Sequence, residues 1–446
     1  MRDCKGCGMN YDEQEFSVCP YCGEEPEEVV DSTEDISREV KPKAEEAVSS
    51  GKSKPLSGKI KFVFIGLAVL AIIGAAISAI FALGGSGVTV PDQYPTIQEA
   101  IDAAEDGDEI VVGLGVYRER IDFKGKDITV RSTDPDDPDV VDQTIIDGGG
   151  GTVVSFRSGE GEAAVLSGFT VTRGSGIVIS GDSSPVISKN VIEDNTAEYG
   201  GGIAVFDSSP TIVDNMIIGN SGFLGGGIFV EASSPLVEGN EISRNRAEMG
   251  SGIVIISNSA PEVLDNNISD NVAERLGGGL VVAVDSSPTI KGNSVTDNVA
   301  DRNGGGLVIE ESEPIVEENI ISRNSAANGG GLFVVNSMTT ALLIASNDIT
   351  DNSASIAGGG LYMEGSSPTV ENNTFSDNIS EYLGGGAVVY NSEPKILRNS
   401  FENNQAEDPD GDGGGAIWVS IDSTLDLGDP DENTYTGNVP DDIFEE

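Results

Sequence analysis

The chain of 446 residues contains no histidine. Histidine-based triads, general bases and metal ligands are therefore excluded outright. All four cysteines fall within the first 22 residues, so no disulfide can staple the rest of the chain. Aromatic residues make up only 5%, which suits a core of stacked Ile, Val, Leu and Ala. Lysine is scarce after residue 84, and the formal net charge is -50. Such acidity argues against nucleic acid or an anionic membrane surface as a partner of that region. It fits a solvated surface in salt, or one that binds cations.

What is abundant is glycine, at 58 residues. It recurs in clusters, each followed by a short apolar run, as in GSGIVI (174–179), GGGIAV (200–205), GGGLVV (277–282) and GGGAIW (413–418). The cluster returns every 25 to 29 residues. A fixed period of this kind means a solenoid, in which each repeat buries its apolar face against its neighbours.

Each repeat carries further punctuation. SSP, SAP or SEP stands at 183–185, 208–210, 233–235, 259–261, 286–288, 312–314, 366–368 and 392–394. An Asn follows five residues after the proline position, and a second Asn five later, from Asn190/Asn195 through Asn433/Asn438. Apolar residues fall two after the proline (Ile187, Ile212, Val237) and two after the first Asn (Ile192, Ile217, Ile242). The spacing predicts three short strands per coil, with turns at Pro, Asn and Gly. Coils stack ~4.8 Å apart, so like residues lie over like and Asn amides can form ladders. Ten such coils give about 50 Å of stack, beyond irregular first coils at 108–173.

The solenoid opens differently. Thr96 is a candidate helix N-cap, with Glu99 completing a capping box. Ile97, Ala100, Ile101 and Ala104 follow at helical spacing, and Gly107 is expected to end the helix. An amphipathic helix here would cover the open end of the stack.

Three segments precede the solenoid. Residues 1–23 hold Cys4-Lys-Gly-Cys7-Gly and Cys19-Pro-Tyr-Cys22-Gly. Two such knuckles can place four thiolates on one tetrahedral Zn²⁺, and in so short a segment the metal would supply the folding energy. A redox dithiol is the alternative. The segment resembles the short zinc ribbons at the N-termini of many prokaryotic membrane proteins; four protein ligands imply a structural ion. Residues 24–61 are polar and aperiodic, a disordered linker. Residues 62–83, FVFIGLAVLAIIGAAISAIFAL, are uncharged; as a helix they would span ~33 Å, enough to cross a bilayer. Lysines crowd the N-terminal side, so the positive-inside rule predicts a cytoplasmic N-terminus and an extracellular solenoid at 88–445.

The run YPTIQEAIDAA with the following GD and G-x-Y-x-E (94–119) resembles the opening of right-handed parallel β-helix proteins of the pectin-lyase-like superfamily. The GGG/SSP/Asn repeats are similar to those of prokaryotic surface proteins, and FSDN (375–378) and FENN (401–404) to motifs of polymorphic outer-membrane proteins. The resemblance implies an all-β, right-handed parallel β-helix. The catalytic motifs of pectin methylesterases and polygalacturonases are not found.

Acids form two columns. Asp182, Asp207, Asp285, Glu311 and Asp422 precede the proline position by three; Asp194, Asp270, Asp297, Asp351 and Asp377 precede the second Asn. Stacked like charges repel, which a bound Ca²⁺ would relieve; solvated turn acids are the plainer reading. Asn267, Asn372 and Asn378 match the N-glycosylation pattern. Three functions stay open: a membrane-anchored surface β-helix that binds glycans or envelope components without turnover, an anchored polysaccharide lyase or hydrolase, and a transmembrane protein whose zinc ribbon contacts a cytosolic protein. Surface proteins outside are further candidate partners.

Overall fold

The computed structural model describes residues 87–408, 413–429 and 432–446, with two short strands, Arg2–Asp3 and Asn10–Tyr11. Those two strands pair antiparallel, Arg2 opposite Tyr11 and Asp3 opposite Asn10. Cys4, Cys7, Cys19 and Cys22, the linker at 24–61 and the apolar segment at 62–83 lie outside the described residues. Among the described residues no helix is long and apolar enough to cross a membrane.

From Val88 onward the chain winds as predicted. Three parallel sheets of 13 strands each run the length of the solenoid. The first begins at Val88–Val90 and ends at Lys395–Leu397; the second runs from Gly115–Tyr117 to Thr434–Thr436; the third runs from Ile121–Asp122 to Ile443–Glu445. One coil takes a strand from each, for example Val186–Ser188, Val191–Glu193 and Ile203–Phe206.

Register explains the repeat. In the second sheet Ile192, Ile217, Ile242, Ile268, Val295 and Ile321 lie directly on one another. All are at most 2% exposed, so each contributes roughly 1.5–3 kcal/mol of apolar burial. Farther on the same inward column turns aromatic: Phe375 and Phe401 stack at 4.8 Å, and Phe401 meets Tyr435 at 5.5 Å.

The third sheet is apolar on both sides. Its outward residues Phe229, Val254, Val281, Val308 and Val388 are as buried as its inward ones. The chain just before the glycines covers them: the Tyr199 ring lies 5.1 Å from Phe229, and Ala357 packs with Val388 and Trp418. This is why the runs after the glycines read as continuous apolar stretches, whereas strands with one wet face alternate.

That covering chain forms a fourth sheet, which the strand count of three per coil misses. It has seven strands, from Arg246–Met249 to Gln405–Ala406. Ala273, Ala300 and Ala326 form its small buried cluster.

The capping helix α1 spans Ile97–Ala103 and buries Ile97, Ala100 and Ile101. The Thr96 side chain accepts from the Glu99 amide at 3.2 Å. The helix stops at Ala104, three residues before Gly107. Glu119, from the first coil, accepts the Ile97 and Gln98 amides, each at 2.9 Å. A second helix, α2, spans Pro138–Gln143 and follows the turn-forming run Asp134-Pro-Asp-Asp-Pro138. Asp137 caps it by accepting the Asp139 amide at 3.0 Å, with Pro138 pre-set for the first turn.

Candidate binding site

Ladders hold the turns. The Asn271 side chain is representative. Its Oδ1 accepts from the Asn245 backbone amide at 3.0 Å and from Asn245 Nδ2 at 3.1 Å. Its Nδ2 donates to the Ile242 carbonyl at 2.9 Å and to Asn298 Oδ1 at 3.0 Å. Every donor and acceptor thus serves a neighbouring coil. These Asn side chains are buried, so the rows bond turns and face no ligand. Asn378 is one of them, fully buried, so the folded chain does not offer it for glycosylation; Asn267 and Asn372 are exposed.

A third ladder, which the S-x-P motif alone does not disclose, is made of serines. The Ser208 amide donates to Ser233 Oγ at 3.0 Å, Ser233 to Ser259 at 3.1 Å, Ser286 to Ser312 at 3.2 Å and Ser366 to Ser392 at 3.0 Å. The motif's first serine is therefore a ladder rung.

The acid columns sit where the backbone turns left. Asp182, Asp207, Asp285 and Glu311 have φ between 45° and 60°. Asp194, Asp270, Asp297, Asp351 and Asp377 lie between 52° and 57°. Left-handed turns favour Gly, Asn and Asp, and that preference accounts for both columns. The first is broken: Ala232 and Asn258 separate Asp207 from Asp285. Asp422 is not in the left-handed region. Asp182 and Asp207 border an open depression of about 320 Å³, otherwise lined by Ser184, Ser208, Ser209, Ala232, Ser233 and Ser234. Among the described residues no three Asp, Glu, Cys or His side chains gather as a metal would require. In the second column Arg323 occupies an equivalent turn and grips Asp297 through both oxygens, at 2.9 and 2.7 Å. An arginine there offsets like-charge repulsion at that point of the column.

Three carboxyls nearby titrate high. Burial first, then Asp194 and Asp142, push Glu193 up. Burial and Asp207 push Glu231 up, against a Ser257 hydrogen bond. Burial, Asp265, Asp214 and Glu262 push Glu238 up.

The outward face of the second sheet carries a regular, partly accessible hydroxyl column, with Ser243, Thr296 and Ser322 buried and Ser269, Thr350 and Ser376 half-buried. Ser243, Ser269, Thr296, Ser322, Thr350 and Ser376 stack in six consecutive coils. This hydroxyl column is recessed. On one side stand the more exposed Glu241, Asn267, Ile320 and Asp348; on the other are the turn residues Arg244, Asp270, Arg323 and Asp351. Hydroxyls donate and accept, and here they recur once per coil along a straight line.

Comparison with known families decides the fold. The model of the right-handed beta helix region matches residues 132–295 and 272–438. The chain belongs to the right-handed β-helix family. Among curated proteins no match is found. Two solved structures are similar. One is the A-module of mannuronan C-5 epimerase AlgE6 from Azotobacter vinelandii, at 15% identity and TM-score 0.46, covering 82% of this chain and 98% of that one. The other is the catalytic unit of a thermostable GH87 alpha-1,3-glucanase from Streptomyces thermodiastaticus strain HF3-3, at 14% identity and TM-score 0.22, covering 81% of this chain and 69% of that one. Both likenesses are remote, and no chemistry follows from them.

In this β-helix the sequence-predicted acids are dispersed along two turns. The hydroxyl column escaped the sequence reading. Its members sit one position after an inward apolar residue, where outward side chains vary freely, and only the register lines them up.

Proposed function

We propose that this β-helix is a membrane-anchored surface protein that holds an extended glycan along its second sheet, without turnover. The hydroxyl column from Ser243 to Ser376 carries the reading. A polymer whose own repeat is close to the strand spacing, or twice it, meets the same hydrogen-bonding group at every step. In this reading residues 62–83 cross the bilayer once, the N-terminus is cytoplasmic, and the β-helix is outside. Cys4, Cys7, Cys19 and Cys22 hold one structural Zn²⁺ that presents a surface to a cytosolic protein.

The full chain applied to an array of extracellular polysaccharides tests the central claim. One class is expected to bind, with no release of reducing ends. Thr296→Val together with Thr350→Val keeps the volume and removes two hydroxyls, and should weaken binding several-fold. Unchanged binding in that variant, or sugar release, overturns the reading. Protease treatment of intact cells checks topology: residues beyond 84 should be cleaved. One zinc per chain, lost in Cys4→Ser, checks the ribbon.

A further inference from the structure

Positive charge is rare in this β-helix, and it is not spread evenly. Four of the eleven arginines after residue 87 meet at one loop, Gly148–Thr152. Arg173 Nη1 lies 3.2 Å and Arg118 Nε 3.8 Å from Asp147 Oδ2, just before the loop. The Arg120 guanidinium lies against Gly151, and Arg157 Nη2 donates to Thr152 Oγ1 at 3.1 Å. The loop itself is four glycines, folded by the Gly149 amide donating to Asp147 Oδ1 and the Gly150 amide to the Arg173 carbonyl. The four glycines bring no side chains of their own to this loop.

One acid faces two of these arginines, and it is used up. The Asp147 side chain is 3% exposed, whereas Arg118 and Arg173 are 80% and 65% exposed. Each guanidinium has five N–H donors in a fixed fork, so most of their donors point to solvent. Elsewhere in the protein a single arginine satisfies a planar carboxylate by itself, as Arg323 does for Asp297. At this loop several forks approach one small area from different directions. That arrangement suits a tetrahedral, multiply charged oxyanion better than a planar one. Arg118 and Arg173 are largely exposed, so such a group can reach them while carried on a polymer at the surface.

We infer that the Gly148–Thr152 loop and Arg118, Arg120, Arg157 and Arg173 form a site for a sulfate or phosphate ester carried by a surface glycan. At physiological salt the Debye length is about 8 Å, so the cluster acts locally although the protein as a whole is strongly acidic. The inference rests on the proposed function only in placing the β-helix among extracellular glycans. The arginine site and the hydroxyl column are separate surfaces with separate variants.

Calorimetric titration of the full chain at fixed salt tests it, with dextran sulfate, plain dextran, polygalacturonate and phosphatidylglycerol vesicles as probes. Dextran sulfate should bind and plain dextran should not. Arg118→Ala with Arg173→Ala should weaken dextran sulfate at least tenfold, and Arg118→Lys with Arg173→Lys should recover part of that. Arg120→Glu, whose guanidinium does not touch Asp147, should also weaken it at least tenfold, which keeps the test valid if the double variant disturbs the turn. Lys291→Ala removes a cation of the first sheet that pairs with Glu317 and Glu318, outside both surfaces, and should leave dextran sulfate binding intact. Equal affinity in the arginine variants, polygalacturonate binding as tight as dextran sulfate, or capture by the vesicles in place of the sulfated glycan each overturns the assignment.

Discussion

At the scale of single residues, this protein places the same few amino acids wherever a coil must bend. Asn271 shows what one rung is worth. Replacing it with Ala leaves the Asn245 amide and the Ile242 carbonyl without their side-chain partner in a buried turn. Each stranded group costs about 1–3 kcal/mol, so Asn271→Ala should destabilise by about 2–6 kcal/mol in total. A lower urea midpoint and faster hydrogen exchange at the Asn245 amide would show it; unchanged exchange there would refute the ladder's role. Glycines separate into two kinds. A Cβ on Gly305 would lie 2.5 Å from the Gly330 carbonyl oxygen and 2.6 Å from the Ser325 amide nitrogen, both backbone atoms of the next coil. A Cβ on Gly107, at φ 87°, meets nothing within 4 Å. Gly107→Ala should therefore cost only the left-handed penalty, roughly 1–2 kcal/mol, while Gly305→Ala should block stacking and lower the yield of folded protein. Comparable melting curves for the two variants would contradict this division.

Elements were legible in the sequence where their side chains repeat, and hidden where they do not. The three long sheets follow from apolar residues at fixed offsets from Pro, Asn and Gly, because vertical stacking turns a period in the chain into a column in space. The fourth sheet has no such mark. Val299–Ala300 and Ser325–Asn328 are short, small-residue segments, and they become strands because the Asn turn before them and the glycines after them are already in register. Helix α2 was masked by its own prolines and aspartates, which mark a loop and a helix start equally well. The acid columns were visible, but their cause was not, since a left-handed φ leaves no trace in a residue's charge. The arginine loop was invisible for a further reason: residues 118, 120, 157 and 173 come from irregular first coils that share no period. Helix α1 depends on a contact the capping box does not contain. Glu119→Ala removes the acceptor for two N-terminal amides, which should cost about 1–2 kcal/mol. Limited proteolysis should then cut first between residues 90 and 107; cleavage sites identical to the parent would show that Glu119 does not hold the cap.

For the whole molecule the governing quantity is charge, and its sign fixes how stability responds to pH. Glu193, Glu231 and Glu238 are pushed above the ordinary Glu value, chiefly by burial and then by neighbouring acids. A folded state that holds these protons more tightly than the unfolded chain gains stability as pH falls through that range, and loses it as pH rises. Asp102 behaves oppositely: hydrogen bonds from Lys124 and Gln98 hold it below the usual value. Glu160 is pushed up by burial, but the Ser158 amide, the Ser183 hydroxyl and the Gly125 amide outweigh that and bring it down. The stabilisation from those two acids is present above their ordinary values and disappears as pH drops through their lowered ones. Self-repulsion from a net charge of -50 adds to the first trend. The melting temperature should therefore rise between about pH 7 and pH 5, then fall below roughly pH 4 as Asp102 and Glu160 take up protons. Added salt should raise the pH 7 value more than the pH 5 value, because screening removes the repulsion that protonation has already reduced. Circular-dichroism melts across pH at two fixed ionic strengths read both effects. A melting temperature that stays flat or declines from pH 7 to pH 5 would mean that the half-buried glutamates and the net negative charge do not set the stability of this β-helix.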